Sequence, residues 1–215
     1  MQLFDVYPLF PIDIQRSHGC HVYDQHGRRY LDFYGGHAVI SVGHSHPHFL
    51  KRVKDQMDKI AFYSNFVENE LRETLAAKLG ELSGYADYQL FMVNSGAEAI
   101  ENALKLASFQ NGRTKVVAFG KGFHGRTAAA VNITDDLSIQ APITNGFEVE
   151  ILPLNDLDMA EKVLAIGDVS AVVVEGVQGI GGINVPSSEF LQGLSALCEA
   201  NGTCLVLDEI QSGYG

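Results

Sequence analysis

The sequence predicts an α/β fold built on a mostly parallel, doubly wound sheet. Apolar runs of strand length alternate with longer runs of helical period from residue 89 onward, and glycine-rich turns follow several of the apolar runs. With 215 residues, 46% of them hydrophobic, the chain also has enough apolar sequence for one sizeable core with appendages.

Residues 1–45 read as an N-terminal arm and part of a small domain, and residues 46–215 as a large domain. In the first, HGCHVYDQHGRRYLDF alternates as a hairpin does, with Gln25-His26-Gly27 at its tip. Between residues 47 and 82, apolar side chains return at helical spacing, as in Leu71, Leu75, Leu79 and Leu82, which predicts two helices. Strands are then expected over 89–93, 115–119, 148–152, 171–174 and 203–207, with helices over 97–109, 157–166 and 190–200 between them. Strands buried on both faces read as continuous apolar runs, as Val172-Val173-Val174 and Leu205-Val206-Leu207 do. Such sheets hold ligands in the crevice at the carboxyl ends of their strands, so the turns carry the chemistry.

Composition narrows the partners. Net charge is −11 and no basic cluster is longer than Arg28-Arg29 or Lys51-Arg52, which argues against nucleic acid or an anionic membrane and for small ligands. No apolar stretch approaches about 18 residues, and Met1 to Asp5 holds no basic region ahead of an apolar one, so a cytoplasmic location is expected. Cys20, Cys198 and Cys204 form no Cys-x-x-Cys pair and are expected to be reduced. The histidines of HSHPH (His44, His46, His48) and HGCH (His18, His21) alternate in loops without a partner carboxylate, so they are read as solvated or packed and no metal is expected.

Four turns stand out. In NSGAEAIENALKLA, Ser95 followed by Glu98 is a capping box ahead of an ordinary helix stripe of Ala97, Ile100, Leu104 and Ala107. The amides of Gly96 and Ala97, with the Ser95 hydroxyl, also make a phosphate seat at a helix N-terminus. In GKGFHGRT, Gly120-x-Gly122-x-x-Gly125 matches a dinucleotide fingerprint by spacing, but the sequence after it soon turns β-branched and polar where that fingerprint requires a long helix. The same turn offers an aromatic face, Phe123, and a fixed cation, Arg126, suited to a planar heterocycle and a carboxylate; core packing and a structural ion pair are the alternatives. In VVVEGVQGIGG, Glu175 ends an all-valine run, so if buried it needs a proton or a cation, with Arg126 the candidate. In LVLDEIQSGYG, Asp208 arrives at a strand's carboxyl end, either to cap the next turn or to pair with a protonated ring nitrogen, with Gln211 in reach of an oxygen on that ring.

A phosphate seat, an aromatic lid, a carboxylate anchor and a nitrogen partner are the parts that bind pyridoxal phosphate as an electron sink. The chain here resembles the class III, ornithine-type aminotransferases, and among them most the acetylornithine type. The motifs that carry this are YLDF, GGHAVISVGHSHP, SNF, NSGAEAIENALKLA, FHGRT, EGVQGIGG and LDEIQSGYG, in order. The resemblance implies the aspartate-aminotransferase-like fold of pyridoxal-phosphate enzymes and a homodimer with interfacial sites. It also implies amino transfer from an N-acylated ornithine to 2-oxoglutarate in arginine biosynthesis. By the same resemblance Ser95, Gly96 and Ala97 hold the cofactor phosphate, Phe123 stacks on the ring, Asp208 meets its nitrogen and Gln211 its oxygen, and Arg126 and Glu175 serve the substrate.

The chain departs from the family pattern at two positions. Gly176 stands where the family has proline, and Ile180 where it has a second glutamate that neutralises a downstream arginine when the amine donor binds. The loss of that acid brings an N-succinyl group in beside N-acetyl. The lysine that carries the cofactor in this family is implied to lie beyond Gly215, with Lys121 on the wrong turn to replace it. The sheet is therefore expected to be incomplete at its C-terminal side and the 215-residue chain inactive alone. Ornithine or 4-aminobutyrate aminotransferases, decarboxylases and aminomutases share the same cofactor seat, and a non-catalytic fragment is the reading from another class.

Overall fold

In the computed structural model, which describes residues 1–213, the chain divides into two units at Tyr88/Gln89. The boundary expected from the sequence stands at 45/46.

The N-terminal unit contains an antiparallel sheet of β1 (Ile14–His18), β2 (His21–Asp24) and β3 (Arg29–Leu31), in that order. The expected hairpin is β2–β3, and Asp24 holds its turn: one carboxylate oxygen accepts the amides of His26 and Arg28 at 2.9 and 2.8 Å, the other the Tyr30 hydroxyl at 2.8 Å. A short turn, α1 (Gly35–Ala38), whose residues all lie at positive φ, precedes the two expected helices, α2 (Pro47–Lys59) and α3 (Glu70–Ser83). Local chemistry sets their ends. Pro47 opens α2, where its missing N–H costs nothing. The Asn69 side chain accepts the Leu71 and Arg72 amides at the start of α3, and left-handed Gly84 ends it.

The C-terminal unit is the doubly wound one. Its elements are α4 (Gly96–Asn111), β4 (Lys115–Phe119), α5 (Ala128–Asn132), β5 (Val149–Leu152), α6 (Leu157–Leu164), β6 (Val169–Glu175), α7 (Ser188–Asn201) and β7 (Cys204–Asp208). The four strands are parallel in the order β5-β4-β6-β7. Period-two alternation sends Val116, Ala118, Ala171 and Val173 to one face, under α4 and α5, and Val117, Phe119, Val172 and Val174 to the other, under α6 and α7. A register slip pairs Lys115 with Val169 but Val116 with Ala171, and this turns Val169 toward the same layer as Val172. At the amino end of β4 the Lys115 ammonium lies 2.8 Å from Glu150, 3.2 Å from Glu148 and 4.0 Å from Asp168, tying three strand starts together.

One expected strand is absent. Residues 89–93 run outside any strand, with Leu90, Phe91 and Met92 exposed, because a strand exists only where a neighbour takes its hydrogen bonds and none does among the described residues.

The connection leaving β4 passes under the α5 layer and the one leaving β6 under the α7 layer, so the strand order reverses between these two neighbours. The crevice beyond their carboxyl ends is the topological switch point, where ligands bind in open α/β sheets.

Candidate active site

The four turns singled out in the sequence surround that crevice. Glu175 and Asp208 close β6 and β7 in register, so two buried carboxylates stand side by side at the strand ends. Phe123 and His124 come from the turn after β4. The start of α4 reaches the same place, since a Cβ on Gly96 would stand 3.0 Å from the Ile210 side chain, and one on Gly125 2.7 Å from that of Ala97. Gly125 also sits at φ +130°, where side chains are rarely tolerated, so this approach belongs to glycine. Gln211 packs directly on Gly179.

At the first turn the structure contains the capping box. Ser95 accepts the Glu98 amide at 3.2 Å, and the Glu98 carboxylate turns back to the Asn94 amide at 2.6 Å. This removes the difficulty of an acid beside an anion seat: Glu98 is occupied with the backbone. Gly96 and Ala97 are the first two residues of a 16-residue helix, so their amides lie beyond its internal ladder and carry the positive end of its dipole.

Asp208 has a partner that the sequence reading missed. His124 Nδ1 lies 2.7 Å from Asp208 Oδ2, with the two side chains 1% and 5% exposed. The Ile210 amide donates to the other Asp208 oxygen at 3.2 Å. His124 is fixed in turn through its own amide, which donates to Thr134 Oγ1 at 2.9 Å. A histidine between an aromatic and a glycine, in a turn already marked for a heterocycle, was the available signal.

Glu175 does not pair with Arg126, as the sequence suggested. No ion pair joins them among the described residues; Arg126 is exposed, and Glu175 Oε1 accepts the Phe123 amide at 3.0 Å. Burial pushes the Glu175 carboxyl above its ordinary range and the nearby Asp208 adds to this, while the Phe123 amide and the charge of His124 pull the other way. Phe123 is half-buried; Gln211 and Ile180 are exposed; and Lys121, exposed on the same turn as Phe123, gives its amide to Asp135 at 2.7 Å. At Gly176 a Cβ would meet the Glu209 carboxylate at 2.9 Å, so the glycine there makes room for the turn after β7.

The donor set fits pyridoxal phosphate: helix-start amides for a phosphate, a buried carboxylate for a ring N–H, and a half-buried aromatic beside it. The fold is that of the pyridoxal-phosphate-dependent aminotransferases. It superposes with a TM-score of 0.89 and 28% identity on the ornithine aminotransferase of Toxoplasma gondii, whose active site holds the cofactor at partial occupancy, covering 97% of this chain and 51% of that one. Residues 5–215 match the model of the family Aminotransferase class-III, and the chain belongs to that family. It is similar to the acetylornithine aminotransferase of Bacillus amyloliquefaciens, 41% identical over 99% of this chain and 93% of that protein. The acetylornithine aminotransferase of Bacillus subtilis strain 168 is also 41% identical over 99% of this chain, but only 55% of its own length is covered. The chain spans about half the length of most of the curated relatives it matches.

Proposed function

We propose that this chain forms the cofactor-binding part of an enzyme that transfers the side-chain amino group of an N-acylated ornithine to 2-oxoglutarate, in the cytoplasm, for arginine biosynthesis. The observation that carries the reading is the convergence of the α4 start, the Phe123 turn and the Asp208–His124 pair on one switch-point crevice. Similarity to acetylornithine aminotransferases supports the choice of donor.

Pyridoxal phosphate, when bound, supplies the electron sink that amino transfer requires. The protein's own groups bind and orient. Gly96 and Ala97 amides, with the Ser95 hydroxyl, receive the phosphate at the helix start. Asp208 accepts the ring N–H from a dry strand end, and His124 keeps that carboxylate from turning away. Phe123 covers one ring face, Gln211 donates to the ring oxygen, and Arg126 receives the carboxylate of the amino or 2-oxo acid.

A homodimer completes the proposal. In the N-terminal unit Phe4, Phe62 and Phe66 are 90%, 86% and 96% exposed, which suits a surface that a second copy covers. Sedimentation of the protein that carries this chain should show a dimer, and a monomer at micromolar concentration would count against it.

Donor choice is tested by comparing kcat/KM for N-acetylornithine, N-succinylornithine and free ornithine, because discrimination resides in that ratio. Ile180 is exposed where the family pattern has an acid, so an acylated amine should be favoured over ornithine by at least ~10-fold. Equal use of free ornithine would remove the acyl-ornithine assignment and leave the cofactor site intact.

A further inference from the structure

The backbone of the turn after β4 is tied down group by group. Gly120 donates to the Leu152 carbonyl at 2.8 Å, and its own carbonyl accepts from Gln178 Nε2 at 2.9 Å. Lys121 donates to Asp135 at 2.7 Å, Gly122 to the Phe119 carbonyl at 2.9 Å, and His124 to Thr134 at 2.9 Å. The Gly122 carbonyl accepts the Asp135 amide at 3.0 Å. The Phe123 amide goes across to a side chain at the end of β6, Glu175 Oε1, at 3.0 Å. With every amide from Gly120 to His124 engaged the turn is held in one geometry, and the Phe123 ring leaves it from the residue whose amide Glu175 holds.

Glu175 is an unusual choice for that task. It is 7% exposed, its register partner is another carboxylate, and no cation is paired with it among the described residues. A charge here is opposed first by burial and then by the like-charged Asp208 alongside, and is favoured by the Phe123 amide and by His124. What the geometry uses is an oxygen of the right reach. A Cβ on Gly122 would stand 3.7 Å from Glu175 Oε1 and 3.1 Å from His124 Nε2, so the carboxyl also abuts the backbone that carries His124.

We propose that Glu175 is a positioning residue for Phe123 and His124, acting as a hydrogen-bond acceptor that joins the β4 turn to the end of β6, and that its negative charge is dispensable. The inference deepens the cofactor reading above, since it makes Glu175 the support of the ring-covering residue instead of a substrate contact. The upward push on its carboxyl by burial agrees with a group that serves better neutral than charged.

Glu175→Gln keeps an acceptor at the same reach and removes the charge; Glu175→Met keeps the volume and removes both. Hydrogen exchange of the Phe123 amide, read in the protein without cofactor, should stay within about 3-fold of the parent in Glu175→Gln and rise at least ~10-fold in Glu175→Met. Amides of Val172 to Val174 should be unchanged, which separates a local effect from unfolding. With pyridoxal phosphate added, the induced circular dichroism and affinity should follow the same order. Loss of protection in Glu175→Gln equal to that in Glu175→Met would overturn the proposal, because charge would then be required. Unchanged protection in Glu175→Met would overturn it as well. The Gln variant alone decides the matter if the Met variant does not fold. Failure of the parent to bind pyridoxal phosphate would strike the cofactor reading, while the exchange result on Glu175 would stand.

Discussion

Helix α2 in the N-terminal unit and helix α7 in the C-terminal unit write the same apolar spacing. Phe49, Val53 and Met57 recur every four residues, as do Phe190, Leu194 and Cys198. The first three are 57%, 39% and 61% exposed, and the second three are 3%, 0% and 2% exposed. The contrast holds for the whole of each unit: among the described residues every buried apolar side chain lies after residue 88. Periodicity therefore specifies a helix and the direction of its apolar face; burial needs a second element to receive that face. α7 has the β4–β6 surface, with Phe119 meeting Phe190 edge-on at 5.3 Å between ring centres. α2 has no such surface within its own unit, which is why a second copy is the proposed cover.

The largest effect should come from these two stripes. Leu194→Ala removes a side chain with no exposure and is expected to cost about 2–5 kcal/mol, whereas Val53→Ala should cost less than about 0.5 kcal/mol in dilute protein. Urea titrations at low and high protein concentration check both. If Val53→Ala becomes costly only at high concentration, its face is covered by another copy. If it is as costly as Leu194→Ala in the dilute monomer, the N-terminal unit has a core of its own.

A smaller effect is expected at the amino edge of the sheet. Hydrogen bonding to Glu150, more than offsetting desolvation and joined by Glu148, raises the Lys115 ammonium above its ordinary value of 10.5. A raised folded-state value means that the stabilisation is fully present below pH about 10.5 and is lost as pH climbs through the folded value. Lys115→Met should therefore lower stability at neutral pH by about 1–2 kcal/mol, discounted because Glu148 and Asp168 stay in water. The gap between parent and variant should shrink above pH 10.5, and a gap independent of pH would assign the loss to packing.

What was legible in the sequence follows the same division between local and distant causes. The capping box joins Ser95 and Glu98, three positions apart, and α4 begins where it is written. Four of the five expected strands exist because each run finds a parallel neighbour: β4 and β6 are buried along their whole length, and β5 and β7 flank them with partly exposed residues. Residues 89–93 carry a similar run and form no strand, since pairing depends on a neighbour that the run itself does not encode. His124 was missed for the same reason: its importance lies in Asp208, 84 residues away in sequence. Likewise Arg126 looked like the partner of Glu175 by charge, where the fold brings the Phe123 amide instead. The eight site residues named from the sequence lie on strand ends, the turns beside them and the α4 start, but which of them touch was decided by the sheet order.

In the proposed function the switch-point crevice holds a phosphorylated, protonated heterocycle through the α4 start and Asp208. Equilibrium titration of pyridoxal phosphate into the parent and into Asp208→Ala, followed by cofactor absorbance and induced circular dichroism, tests it most directly. The parent should bind saturably and be displaced by inorganic phosphate, pyridoxal without its phosphate should bind far more weakly, and Asp208→Ala should lose at least ~10-fold in affinity together with the induced signal. Binding by Asp208→Ala that matches the parent in affinity and signal would contradict the account.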